Sequence, residues 1–207
     1  MIFKELFLGF KNTILIFFIT LFISLPLGIV VYYLKKSKNR VIRIIFSVFI
    51  SVMRGTPLML QLMFTYFAPY YLFNLKSPDR FLAVILTFSL NYSAYFAEIF
   101  RGGFSSIDNG QYDAAKIIGL SKWKTFKKII FPQVLKIVLP SITNEVITLV
   151  KDTSLAMVIA VSETFTVAKA MAARESSMIP YVAVAVFYYI ANYLVAFIME
   201  LLEKRYE

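Results

Sequence analysis

Two sets of polar residues stand in long apolar stretches of this 207-residue chain. Glu145, Thr148 and Asp152 follow one another at i, i+3 and i+7; Asn91, Tyr95 and Glu98 sit at i, i+4 and i+7. On a helix either spacing brings three side chains to nearly one face. An ionisable group in hydrocarbon costs about 2.5–3.5 kcal/mol on insertion scales, so residues kept there are candidates for a path through the membrane. Carboxylates on such a path would receive an ammonium or another cation, and Asn or Thr donors would meet a carboxylate. Gln61 is a further candidate, set against an interhelical hydrogen bond. The plainer reading is also open. Lys151 and Arg101 could simply neutralise neighbouring acids, and Glu98 could lie at headgroup level.

Other chemistry has little support. The chain contains no Cys and no His, which removes thiol nucleophiles, disulfides and Cys/His metal sites. No carboxylates are paired as a catalytic acid and base. Neither a cofactor nor a metal is expected on this chain.

The elements that must position these residues are membrane spans. Hydrophobic residues make up 59% of the chain, and a span needs about 20 mainly apolar residues. Five stretches qualify: residues 12–34, 55–75, 81–100, 137–161 and 176–200, together one transmembrane domain over 1–207. The first is too long for a signal peptide and has no small-residue cleavage site after it. Thr56 and Pro57 read as the cap and first turn of the second span. Residues 41–53 are either an interfacial helix or the lead-in to that span. Lysine and arginine fall fifteen on one side and six on the other. That excess places the N-terminus outside and the C-terminus in the cytoplasm. The net charge of +10 is then topology rather than a nucleic-acid footprint.

The loop over 101–136, cytoplasmic on that topology, carries "YDAAKIIGLSKWKTFKKIIFP". Ala114, Ala115 and Lys116 favour a short helix that Gly119 can end in a left-handed conformation. Ser121 can cap a second helix, with Trp123, Phe126, Ile129 and Ile130 as its apolar stripe and Pro132 as its stop. A DNA-binding helix-turn-helix would need a packed domain around it, and the sequence provides none. An interfacial helix on anionic lipid explains the lysines. A docking helix for a partner also explains the compact Asp-Ala-Ala…Gly half.

This segment resembles the EAA loop of ATP-binding-cassette importer permeases. It has Asp113-Ala114-Ala115, Gly119, Ile129 and Pro132 at the family's spacing, with Asp113 for the usual Glu and Phe131 for the usual Leu. "RGTPLMLQLMFTY", "NYSAYFAEIFRGG" and "LPSITNEVITLVKDTSLAMVIAV" are similar to the polar amino acid branch of that family, the histidine/glutamine type. The resemblance implies an all-α membrane protein with the type I (MetI-like) importer permease fold in the cytoplasmic (inner) membrane. It implies that Asp113, Ala114, Ala115 and Gly119 couple the chain to ATP-binding-cassette ATPase subunits, which would hold ATP and Mg. A second permease subunit, identical or homologous, and an extracytoplasmic solute-binding protein would complete the assembly, and a polar amino acid would be its substrate. The chain has no GxxxxGK[S/T] phosphate loop of its own, so hydrolysis would lie on another chain. A secondary transporter or a membrane scaffold is the alternative. It would need no docking loop, and no inverted repeat is visible.

Overall fold

The computed structural model describes residues 2–206, with side chains from Leu6 to Arg205. The described residues form a bundle of helices in the order α1 (Ile2–Lys35), α2 (Arg40–Gly55), α3 (Leu58–Phe73), α4 (Arg80–Ser105), α5 (Asn109–Ile117), α6 (Lys122–Thr125), α7 (Phe131–Asp152), α8 (Thr164–Glu175) and α9 (Ile179–Tyr206). A π-helical turn, Phe126–Ile130, joins α6 to α7, and a 3₁₀ segment, Thr153–Ile159, follows α7. Among the described residues four stretches are long and apolar enough to cross a membrane: Leu6–Lys35, Arg80–Ser105, Lys122–Ile159 and Ile179–Arg205. The pair α2–α3 makes a fifth if its bent halves count as one span.

That pair differs from the expected second span. Helix α3 has 16 residues, about 24 Å at 1.5 Å per residue, against a hydrocarbon core of about 30 Å. It meets α2 at a bend of 110°. Thr56 is extended (φ −125°, ψ 148°), as the residue before a proline prefers to be. Thr56 does not cap α3. Its hydroxyl donates to the Val52 carbonyl at 2.8 Å, and Pro57 occupies the position before the helix.

The fourth span also starts earlier than expected. Pro132 does not stop a helix; it lies in the first turn of α7, which continues α6 through the π turn. The i→i+5 bonding there, with Phe131 N–H donating to the Phe126 carbonyl, gives the wider turn found in π-bulges. Proline lacks the N–H and crowds the carbonyl four residues back, and a widened turn accommodates both.

Helices α1 and α4 run side by side in the same direction. They approach closely at Gly28, where a Cβ would stand 2.6 Å from the Phe96 Cβ. The core runs along this contact through Ile16, Phe88, Tyr92, Phe96 and Leu149, all buried. Near its start α1 crosses the N-terminus of α8 at Gly9, whose added Cβ would lie 2.8 Å from the Thr164 Cα. Hydrogen bonds seal the crossing. The Thr13 and Thr164 hydroxyls are 2.8 Å apart, and Asn12 donates to the Ser162 carbonyl at 2.8 Å. Fully buried Glu163 caps α8, accepting from the Phe165 and Thr166 N–H groups at 2.7 and 2.6 Å and from the Tyr188 hydroxyl at 3.0 Å. Because backbone, not a flexible side chain, faces Gly9, Gly9→Ala is expected to cost about 1–3 kcal/mol through overpacking. Thermal unfolding in detergent should register the loss, while Gly55→Ala, with nothing within 4 Å of its added Cβ, should not.

Candidate functional site

Between α4 and α7 the chain forms a small outward-facing unit. Asp108 caps α5, accepting from the Gly110 N–H at 2.6 Å. At the other end Leu120 N–H donates to the Ala115 carbonyl and Gly119 N–H to the Lys116 carbonyl, both at 3.0 Å. This is the Schellman arrangement, and it requires a left-handed residue; Gly119 has φ +75°. Ser121 caps α6, as the sequence suggests, by accepting from the Lys124 N–H. Asp113, Ala114 and Gly119 lie on the surface, whereas Ala115 is buried against its own chain. A Cβ on Gly119 would meet nothing within 4 Å. Ile117 and Ile118, at 85% and 71% exposure, leave an apolar edge beside that glycine.

The polar residues expected along the membrane path divide into two kinds. Asn91 and Gln61 serve the α2–α3 break. Pro57 has no N–H, so the Met53 carbonyl lacks its usual donor four residues on. Asn91 Nδ2 supplies one at 2.9 Å and Gln61 Nε2 another at 3.0 Å. The two amides also bond each other, Asn91 Nδ2 to Gln61 Oε1 at 3.0 Å, and Gln61 reaches the Thr56 hydroxyl at 2.8 Å. Side chains that satisfy freed backbone groups make a proline break tolerable in a membrane helix. Glu98 is likewise engaged: Lys35 Nζ lies 2.6 Å away, Arg101 Nε 2.7 Å and Arg54 3.8 Å.

Glu145, Thr148 and Asp152 on α7 are the second kind, each half-buried. Asp152 Oδ2 accepts from the Tyr92 hydroxyl at 2.8 Å. Thr148 donates to the Asn144 carbonyl within its own helix. Glu145 has no hydrogen bond or ion pair among the described residues. Sequence reasoning missed Tyr92, which lies one residue off the Asn91 stripe, and Arg54, whose guanidinium stacks 5.3 Å from the Tyr95 ring. Nothing in the spacing of either marks it, since both act across helices.

Several helices long and apolar enough to span, one bent pair patched by side-chain amides, and an exposed helical turn between two of them are the architecture of a multi-pass membrane protein. The chain belongs to the family described as binding-protein-dependent transport system inner membrane component, which it matches over residues 9–207. It is 37% identical to the glutamine transport system permease protein of Escherichia coli, covering 95% of this chain and 90% of that one. It is 35% identical to the L-cystine transport system permease protein of Bacillus subtilis, over 95% and 84%. A crystal structure of an amino acid ABC transporter with histidines superposes with TM-score 0.88 at 28% identity, over 98% of this chain and 94% of that one. An inward-facing MetNI methionine ABC transporter shares the fold at TM-score 0.73 and 16% identity, over 99% and 94%. The fold is that of a type I importer permease, and the protein is a multi-pass inner-membrane subunit of an ABC transporter.

Proposed function

We propose that the chain carries a polar amino acid into the cytoplasm by alternating access. The N-terminus would lie outside and α5 inside, following the lysine and arginine asymmetry. An extracytoplasmic binding protein would deliver the substrate to a pair of permease subunits. Two ATPase subunits, holding ATP and Mg, would engage Asp113, Ala114 and Gly119 on the exposed α5 turn. Glutamine and cystine carriers among the relatives support the substrate class.

The observation that carries this reading is Glu145. A half-buried carboxylate with no hydrogen-bonding partner among the described residues, on the same face as Asp152, suits the ammonium of a passing amino acid. Asn91, Gln61 and Glu98 contribute less directly, since their polar atoms hold backbone or neighbouring cations. In a reconstituted complex, Glu145→Gln is expected to raise the substrate concentration for half-maximal uptake about tenfold, the size of one lost charge-assisted hydrogen bond. Assembly with the ATPase should be unchanged. An uptake curve identical to wild type would instead make Glu145 a structural residue.

A further inference from the structure

At the end of the bundle that carries α5, two hollows of different character adjoin. One is a cleft of about 260 Å³ lined by Tyr32, Lys35, Lys36, Arg101 and Ser105. The other is an aromatic groove of about 450 Å³ lined chiefly by Tyr33, Phe100, Phe104, Trp123 and Phe126. A single stack separates them: the Tyr32 and Phe104 rings lie parallel at 5.0 Å, with Tyr32 lining the cleft and Phe104 the groove. Phe104 in turn stacks on Phe126, and Phe126 on Trp123. The groove is therefore walled by α1 and α4 on one side and by α6 with its π turn on the other.

Charge in the cleft is unbalanced. Lys35, Arg101 and the more distant Arg54 share the one carboxylate of Glu98. Lys36 adds a further cation, its Nζ 6.0 Å from the Tyr32 ring. Three cations therefore line the cleft, Lys35 and Lys36 at the end of α1 and Arg101 near the end of α4, with Glu98 as the one acid beside them. Trp123 and Tyr33, both exposed, open the apolar groove to the surroundings.

We infer that this double hollow binds one anionic phospholipid, its phosphate in the cleft with Lys36 and Arg101 and an acyl chain in the groove against Trp123. A basic pocket between membrane helices attracts such headgroups, and the adjoining aromatic groove distinguishes a lipid from a free anion. The bound chain would lie directly against α6 and the π turn. The inference rests on the membrane placement of the helices and not on the transported solute, so its failure leaves the proposed function standing.

Trp123 is the only tryptophan in the chain, and it lines the groove, so it reports occupancy directly. The full chain is reconstituted in phosphatidylcholine vesicles containing equal mole fractions of dibrominated phosphatidylglycerol or dibrominated phosphatidylcholine. Brominated phosphatidylglycerol should quench Trp123 about twofold more strongly, reflecting local enrichment of the anionic lipid. The Lys36→Gln/Arg101→Gln variant should lose that preference while keeping normal quenching by brominated phosphatidylcholine. Glu98 stays paired with Lys35 in this variant. In the unaltered chain, salt near about 1 M, where the screening length is about 3 Å, should also erase the preference. Equal quenching by both lipids in the wild type would sink the proposal. So would a preference that survives the double substitution, or one abolished by millimolar inorganic phosphate at constant ionic strength, which would mark a free-anion site.

Discussion

Gly119→Asp should leave the permease folded and inserted while uncoupling it from its ATPase. The residue has φ +75°, a region that aspartate enters more easily than most side chains, so the backbone cost is about 1 kcal/mol. Within the chain a Cβ at this position has open space, with nothing within 4 Å, and the site is exposed. Any larger effect must come from a surface that the chain itself does not provide. A carboxylate trapped unpaired between two proteins costs about 3–5 kcal/mol, more than about a hundredfold in affinity. Gly119→Asn supplies the control, because it has the same size and backbone tolerance without the charge. Copurification with the ATPase subunit and substrate-stimulated hydrolysis are the measurements. Wild-type values for the aspartate variant would mean that nothing docks at this turn.

Asn91→Leu has the second large effect, and it separates structure from transport. The Asn91 amide is buried and holds both the Met53 carbonyl and Gln61 Oε1. Leucine, with the same branched skeleton but no polar atoms, leaves Gln61 Oε1 without that donor and Met53 with one donor instead of two. An unsatisfied buried group costs about 1–3 kcal/mol, so a loss of about that size is expected on thermal unfolding. The α2–α3 break should loosen with it, and a cysteine placed at Thr56 should react faster with a water-soluble maleimide. The half-saturating substrate concentration should stay near wild type, because these amide atoms are occupied by the protein's own backbone. A large rise in that concentration without loss of stability would return Asn91 to the substrate path.

How much was legible in the sequence follows from what kind of force each feature obeys. Apolar runs long enough to span, the left-handed turn at Gly119 and the cap at Ser121 depend on neighbours within a few residues, and each can be read directly. The α2–α3 bend could be read only in part. Pro57 announces a break, but the 110° direction depends on Asn91 and Gln61 supplying donors from elsewhere, one of them 38 residues away. Pro132 escapes the rule that proline ends a helix because that rule assumes an α-helical register, and the π turn relaxes it. Glu98 pairs with Arg101, three residues on, as the plainer reading of the sequence allows, but its second partner, Lys35, lies 63 residues earlier. Long-range pairing of this kind leaves no trace in local spacing.

The π turn has a mechanical consequence. Because Phe126–Ile130 continues the helix rather than ending it, Lys122 to Asp152 forms one rod about 46 Å long at 1.5 Å per residue. The exposed turn at Gly119 stands beside one end of that rod, and Glu145 and Asp152 stand toward the other. A flexible loop would absorb a push applied at Trp123. An axially stiff helix delivers it as a shift or a twist of both carboxylates together.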